Sequence, residues 1–238
     1  MCTRKHPISN HECMNVRILS YLNLITAAKR IARFMLQTKG QKIIYTPCRE
    51  QRFRDAYGKI LESAQAGREL PNLVGFSDSD YAGCSVTLKS TSGSVMFYRG
   101  VPILWASRRQ AVLATSTCEA EYVALFDTVK VMQAVGFAEF FDEKERRPVL
   151  FGDNQSSIVL AKTTLPTKRS KHMDIRYHYV KEYAKDIAYC PTGVNMADPL
   201  TKPVPDPLMF FQTPTPGSTE LNEKVEGEQC LFATYCRM

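Results

Sequence analysis

"GSVMFYRGVPILWAS", residues 93–107, places two strand-like runs on either side of Arg99-Gly100. Apolar runs joined by a glycine-containing turn predict an antiparallel hairpin. Upstream, "LVGFSDSD" (73–80) reads as a strand ending in two aspartates. Downstream, "STCEAEYVALFDTVKVMQAVGFAEFF" (116–141) carries the longest helical pattern in the chain. "RPVLFG" (147–152) predicts a short buried strand, followed by a helix over 154–162 and, after a basic loop, another over roughly 172–185. A short strand around "IAYC" and a last helix starting near Val194 complete the series. An antiparallel meander followed by α/β crossovers implies an α/β fold, a mixed five-stranded sheet with helices on its faces.

Outside that region the pattern is thinner. Apolar side chains at 18, 22, 25, 28, 32 and 35 predict a helix over 16–37 that needs a partner surface, with a stop at Gly40. "QKIIYTP" (41–47) suggests a short strand. Residues 49–70 are charged with little periodicity and read as a linker with about one helical turn at most. From 206 to 238 there are five acidic and two basic residues and no periodicity, so 204–238 is expected to be a disordered tail.

The chain of 238 residues is 44% hydrophobic and 23% charged, as a soluble globular protein would be. Its formal charge of +7 points to a polyanionic partner such as nucleic acid. No apolar run approaches the roughly 20 residues that span a bilayer, and "MCTRKHPISNHEC" lacks the apolar core of a signal peptide. The expected location is intracellular, cytoplasmic or nuclear, with no membrane partner; the sequence gives no oligomeric state. Eight scattered cysteines without a C-x-x-C pair argue against a disulfide framework. Cys2, His6, His11 and Cys13 fit no common zinc spacing and read as a loose end.

Four acids stand where an α/β domain could gather them: Asp78 at the end of the first strand, Glu121 on the long helix, Asp153 after the fourth strand and Asp198 in the last helix. Grouped carboxylates repel unless cations lie between them, and magnesium accepts oxygen ligands alone. Two such ions about 4 Å apart can activate water and stabilise the leaving oxygen of a phosphodiester. Spacing leaves rivals. Asp80 would face the same side of a strand as Asp78. Glu119 and Glu121 lie about 200° apart on a helix, so only one can face a given site. Asp153 could equally cap the helix that follows it.

The ordered motifs "GFSDSDYAG", "KSTSGSVMFYRGVPILWASRRQ", "STCEAEYVAL", "GDNQSSIVLAK", "RSKHMDIRYHYVKE" and "NMADPLTKP" resemble the ribonuclease H domain of copia-type retrotransposon Pol polyproteins. "AAKRIARFMLQTKG" resembles the end of the reverse transcriptase region before it. The resemblance implies a ribonuclease H-like fold over 71–203, with 1–48 as a reverse transcriptase remnant and 49–70 between them. It also implies hydrolysis of the RNA strand of RNA–DNA hybrids with two Mg²⁺ ions, or Mn²⁺ in their place. By motif position, Asp78, Glu121, Asp153 and Asp198 are the implied catalytic and metal-binding set.

Lys89, Ser92, Ser116, Asn154 and Gln155 fall in the same motifs and are candidates for nucleic-acid contacts. So are Lys171 and Arg176, in a segment (167–185) with six basic and two acidic residues. The chain also departs from the family. No Y-x-D-D motif is present, so reverse transcription is not expected. The stretch between Asp174 and Pro191 is shorter than usual, which leaves the placement of Asp198 open. These departures suggest a truncated or decaying element, or a domesticated one that binds nucleic acid without cutting it.

Overall fold

The computed structural model describes residues 24–33, 35–36, 39, 46–84, 87–136, 147–163 and 174–202. The chain divides into two compact units, Met1–Lys42 and Ile43–Met238. In the first, 24–33 and 35–36 are helical, and Leu24, Ile31, Met35 and Leu36 are exposed. Residues 16–23 of the expected helix, the Cys2/His6/His11/Cys13 group, residues 41–45 and the tail 204–238 lie outside the described residues.

The second unit is built on a five-stranded sheet of order β3-β2-β1-β4-β5. The strands are β1 (Leu73–Asp80), β2 (Thr91–Tyr98), β3 (Val101–Arg109), β4 (Val149–Gly152) and β5 (Ile187–Tyr189). The first three pair antiparallel, whereas β4 runs parallel to both β1 and β5. This is the expected mixed sheet. The β2–β3 turn has positive φ at Arg99 (48°) and Gly100 (73°), the backbone of a two-residue hairpin turn whose twist matches its strands.

Helices cover both faces. They are α1 (Pro47–Ala64), α2 (Thr117–Gly136), α3 (Gln155–Lys162), α4 (Asp174–Glu182) and the four-residue α5 (Asp198–Thr201). On one face Phe53, Tyr57 and Leu61 of α1 pack with Phe76, Phe97 and Phe151. The Tyr57 and Phe76 rings meet edge-on at 4.9 Å, a favoured aromatic geometry. On the other face Tyr122, Leu125, Val129 and Met132 of α2 meet Met96, Leu150 and Ile187, joined by Ile158 of α3 and Val180 of α4. Among the described residues no helix is long and apolar enough to cross a membrane.

The segment 49–70 is not a linker. Thr46 caps α1 by accepting from the Arg49 amide at 3.3 Å, and Pro47 occupies the first turn, where its missing N–H costs nothing. Phe53, Ala56, Tyr57 and Leu61 then recur at helical spacing and are buried. The stripe is only one residue wide in a charged context, so composition hid it. Beyond the helix, Arg54 reaches the Leu70 carbonyl at 3.0 Å and the Asn72 side chain, tying α1 to the start of β1. At the other end, Arg99 Nε donates to Glu50 Oε2 at 3.0 Å.

Since α1 is core, Leu61→Ala should lower stability by about 2–5 kcal/mol, the usual cost of truncating a buried leucine. A chain begun at residue 71 should lose its cooperative melt. Thermal unfolding followed by circular dichroism checks both, and an unchanged melt in either would restore the linker reading.

Candidate metal centre

Asp78 lies near the end of β1, in register with Gly93 of β2. A Cβ on Gly93 would stand 2.7 Å from Thr201 Cγ2 and 2.9 Å from the Ala197 carbonyl oxygen, so only glycine lets α5 lie this close. That approach brings the Thr201 hydroxyl onto Asp78, to whose Oδ2 it donates. Asp78 is 1% exposed. Asp80, its rival by alternation, turns elsewhere: a Cβ on Gly83 would fall 1.8 Å from Asp80 Oδ2, so this carboxylate folds back over the turn after β1.

Glu121 enters from α2. The helix start is fixed by Ser116, whose Oγ accepts from the Glu119 amide at 3.2 Å. Glu119 reaches back to accept from the Thr115 amide at 2.7 Å. This reciprocal cap occupies Glu119 and leaves Glu121, on the opposite side of the helix, to face the sheet. Buried Gln110 donates from Nε2 to Ser92 Oγ at 3.0 Å and to the Ala120 carbonyl at 2.9 Å, pinning the first turn of α2 to β2.

Asp153 follows β4. The cap of α3 falls to its neighbour, because Asn154 Oδ1 accepts from the Ser157 amide at 2.9 Å. Asp153 is therefore not spent on the helix. One oxygen from each of Asp78, Glu121 and Asp153 lies within 4.8 Å of the others. Asp198, the first residue of α5, is not in that trio; its Oδ1 accepts from Lys202 Nζ.

The charges are costly. Burial pushes the Asp78 carboxyl up to about 6; Asp153 and Asp198 add to the rise, and Thr201 and Lys202 oppose it. Burial, then Asp78 and Asp153, push Glu121 up to about 8, against hydrogen bonding from Ser79. Burial pulls the Lys202 ammonium down, but its bond to Asp198 and the nearby Asp78 and Asp153 charges outweigh this, and the net direction is up.

The other candidates are scattered. Lys89 Nζ donates to the Ala111 carbonyl at 3.0 Å. Ser92 is buried against Gln110, while Ser116 and Asn154 serve as helix caps. Gln155 is exposed at the start of α3, Arg176 lies on α4, and Lys171 is outside the described residues. Sequence reasoning missed Gln110, Gly93, Asn195, Thr201 and Lys202. The last three stand inside "NMADPLTKP", so proximity to Asp198 was their available signal; Gly93 becomes meaningful only once its register with Asp78 is known.

No protein-family model matches the chain. Over 146 residues, 58% of this chain, it is 37% identical to the retrovirus-related Pol polyprotein from transposon TNT 1-94 of Nicotiana tabacum. Over 139 residues (56%) it is 30% identical to the corresponding polyprotein from transposon RE1 of Arabidopsis thaliana. The chain spans only 11% and 10% of these curated relatives. Among solved structures, a ribonuclease H1 from the archaeon Halobacterium salinarum superposes with a TM-score of 0.40 at 14% identity, covering 52% of this chain and 89% of that one. The relatives are retrotransposon Pol polyproteins, as the motifs implied.

Both raised carboxyls favour the folded state while protonated. Their contribution is full below the ordinary carboxylate range and is lost as pH rises through about 6 for Asp78 and about 8 for Glu121. The melting temperature of chelator-treated protein should therefore fall across that window. Glu121→Gln should flatten the upper part of the fall, and an unchanged slope in this variant would contradict the assignment.

Proposed function

We propose that the chain is a ribonuclease H-like module of retrotransposon Pol type that hydrolyses the RNA strand of RNA–DNA hybrids. Asp78, Glu121 and Asp153 would hold two magnesium ions, with Asp198 as the fourth carboxylate beside them. The observation that carries this reading is the convergence of three carboxylates, from β1, α2 and the end of β4, to within 4.8 Å. The similarity to Pol polyproteins over more than half the chain supports it.

The donor set suits the ion. It consists of oxygens alone, which favours magnesium or manganese over softer metals. Asp78 and Glu121 are buried and their carboxyls raised, so the cation-free site carries a repulsion that a divalent ion relieves. Held by Asp78, Glu121 and Asp153, magnesium would supply the activation of a water and the stabilisation of a phosphodiester's leaving oxygen.

The residues of the chain prepare that chemistry. Thr201 orients Asp78 through its hydrogen bond. Glu121 must give up its proton for a cation to bind, so cation affinity rises with pH toward about 8. The Asn154 cap keeps Asp153 available. Lys89 and the basic 167–185 segment, with Lys171 and Arg176, would meet backbone phosphates and make hybrid binding salt-sensitive and indifferent to sequence.

Purified protein should cut the labelled RNA strand of a hybrid with Mg²⁺ and stop when a chelator is added. Asp153→Asn should reduce cleavage to background while leaving the melt cooperative. Salt-sensitive hybrid binding without cleavage under any divalent ion would replace this reading with a purely binding role.

A further inference from the structure

Lys202, immediately after α5, is not accounted for by the proposed chemistry. Its ammonium pairs with Asp198 four residues back, with side-chain exposures of 45% and 29%. The same charge acts on Asp78 and Asp153. The ammonium thus contacts Asp198 directly, and its backbone position follows Thr201, which bonds to Asp78. Its position is built in: Gly93 admits α5 against β2, Thr201 bonds to Asp78, and Lys202 is the next residue.

We propose that Lys202 is the resident counter-cation of the carboxylate cluster, stabilising it when empty and competing with the divalent ion that fills it. This rests on the metal-binding reading above. Without a metal, the ammonium offsets part of the repulsion among the aspartates. Once a divalent ion enters, the same ammonium repels it. Because the side chain is nearly half exposed, it can swing into solvent, so the competition is real but limited.

A bystander or purely structural lysine would behave differently. If Lys202 only held Asp198 in place, removing it would weaken metal binding. If it is a counter-cation, removing its charge tightens binding, by a factor on the order of 10 for a unit charge near a divalent ion in a partly solvated site. Lys202→Met keeps the length of the stem and deletes the charge; Lys202→Gln is a second neutral side chain, and Lys202→Arg keeps the charge.

The test is calorimetric titration of the full chain with magnesium chloride at one fixed pH, paired with melting curves. Both neutral variants should bind magnesium several-fold more tightly than the parent, and Lys202→Arg should match the parent within about twofold. With chelator, Lys202→Met should melt below the parent, and the gap should close at saturating magnesium, as linkage requires. Equal or weaker binding in the neutral variants overturns the counter-cation role alone. No magnesium uptake by the parent, or uptake unaffected by Asp153→Asn, overturns the metal site and this role with it.

Discussion

Three carboxylates within 4.8 Å of one another, two of them buried, push apart. A fold that keeps them together must hold each from a separate element that cannot yield. β1 carries Asp78 as a central strand, paired on both sides. α2 carries Glu121 with its first turn clamped by Gln110 and its start closed by Ser116 and Glu119. Asp153 follows β4, itself flanked by β1 and β5, at a junction where Asn154 takes over the capping duty. The cores on the two faces of the sheet supply the apolar burial that offsets this local repulsion.

The same logic explains why α1 belongs to the domain. Its aromatic stripe covers the face of the sheet that also carries Ala197 and Leu200, so α1 and α5 share one core. Tyr57 joins them directly, donating its hydroxyl to the Val194 carbonyl at 2.9 Å just before the chain enters the α5 region. Loosening α1 therefore loosens the support behind Thr201, and through it the orientation of Asp78. A helix that looks peripheral in sequence thus shares a core with the segment that bonds to Asp78.

The hairpin, the succession of strands and helices along the chain and the long helix were legible because each depends on local patterning. Alternation, the Arg99-Gly100 turn and the apolar period of 116–141 act over a few residues. α1 was not legible, since four buried residues in a charged segment barely alter composition while their partners lie on strands far along the chain. The candidate site was legible as a set of acids but not in its choices. Strand alternation leaves Asp78 and Asp80 equivalent, and what separates them is the turn at Gly83, where Asp80 folds back. Helix geometry showed that Glu119 and Glu121 face apart, but only the Thr115–Ser116 cap shows which one is occupied elsewhere. Asp153 was open to reading as the cap of α3, but the Ser157 amide donates to Asn154 Oδ1 instead.

What holds the chain just before Asp198 decides where α5 lies. β5 has only three residues, yet each pairs with β4, and the Cys190 amide adds a bond to the Gly152 carbonyl at 2.9 Å. A single 3-10 turn, Thr192–Val194, then carries the chain to Asn195. Asn195 donates to the Ser77 carbonyl at 2.9 Å and accepts from the Ala197 amide at 3.1 Å, so the backbone is locked to β1 one residue before Asp78. From there the close fit at Gly93 sets α5. Anchors between 190 and 201, rather than the length of the preceding helix and loop, therefore fix the approach of α5. They deliver Thr201 to Asp78 and leave Asp198 paired with Lys202, outside the trio.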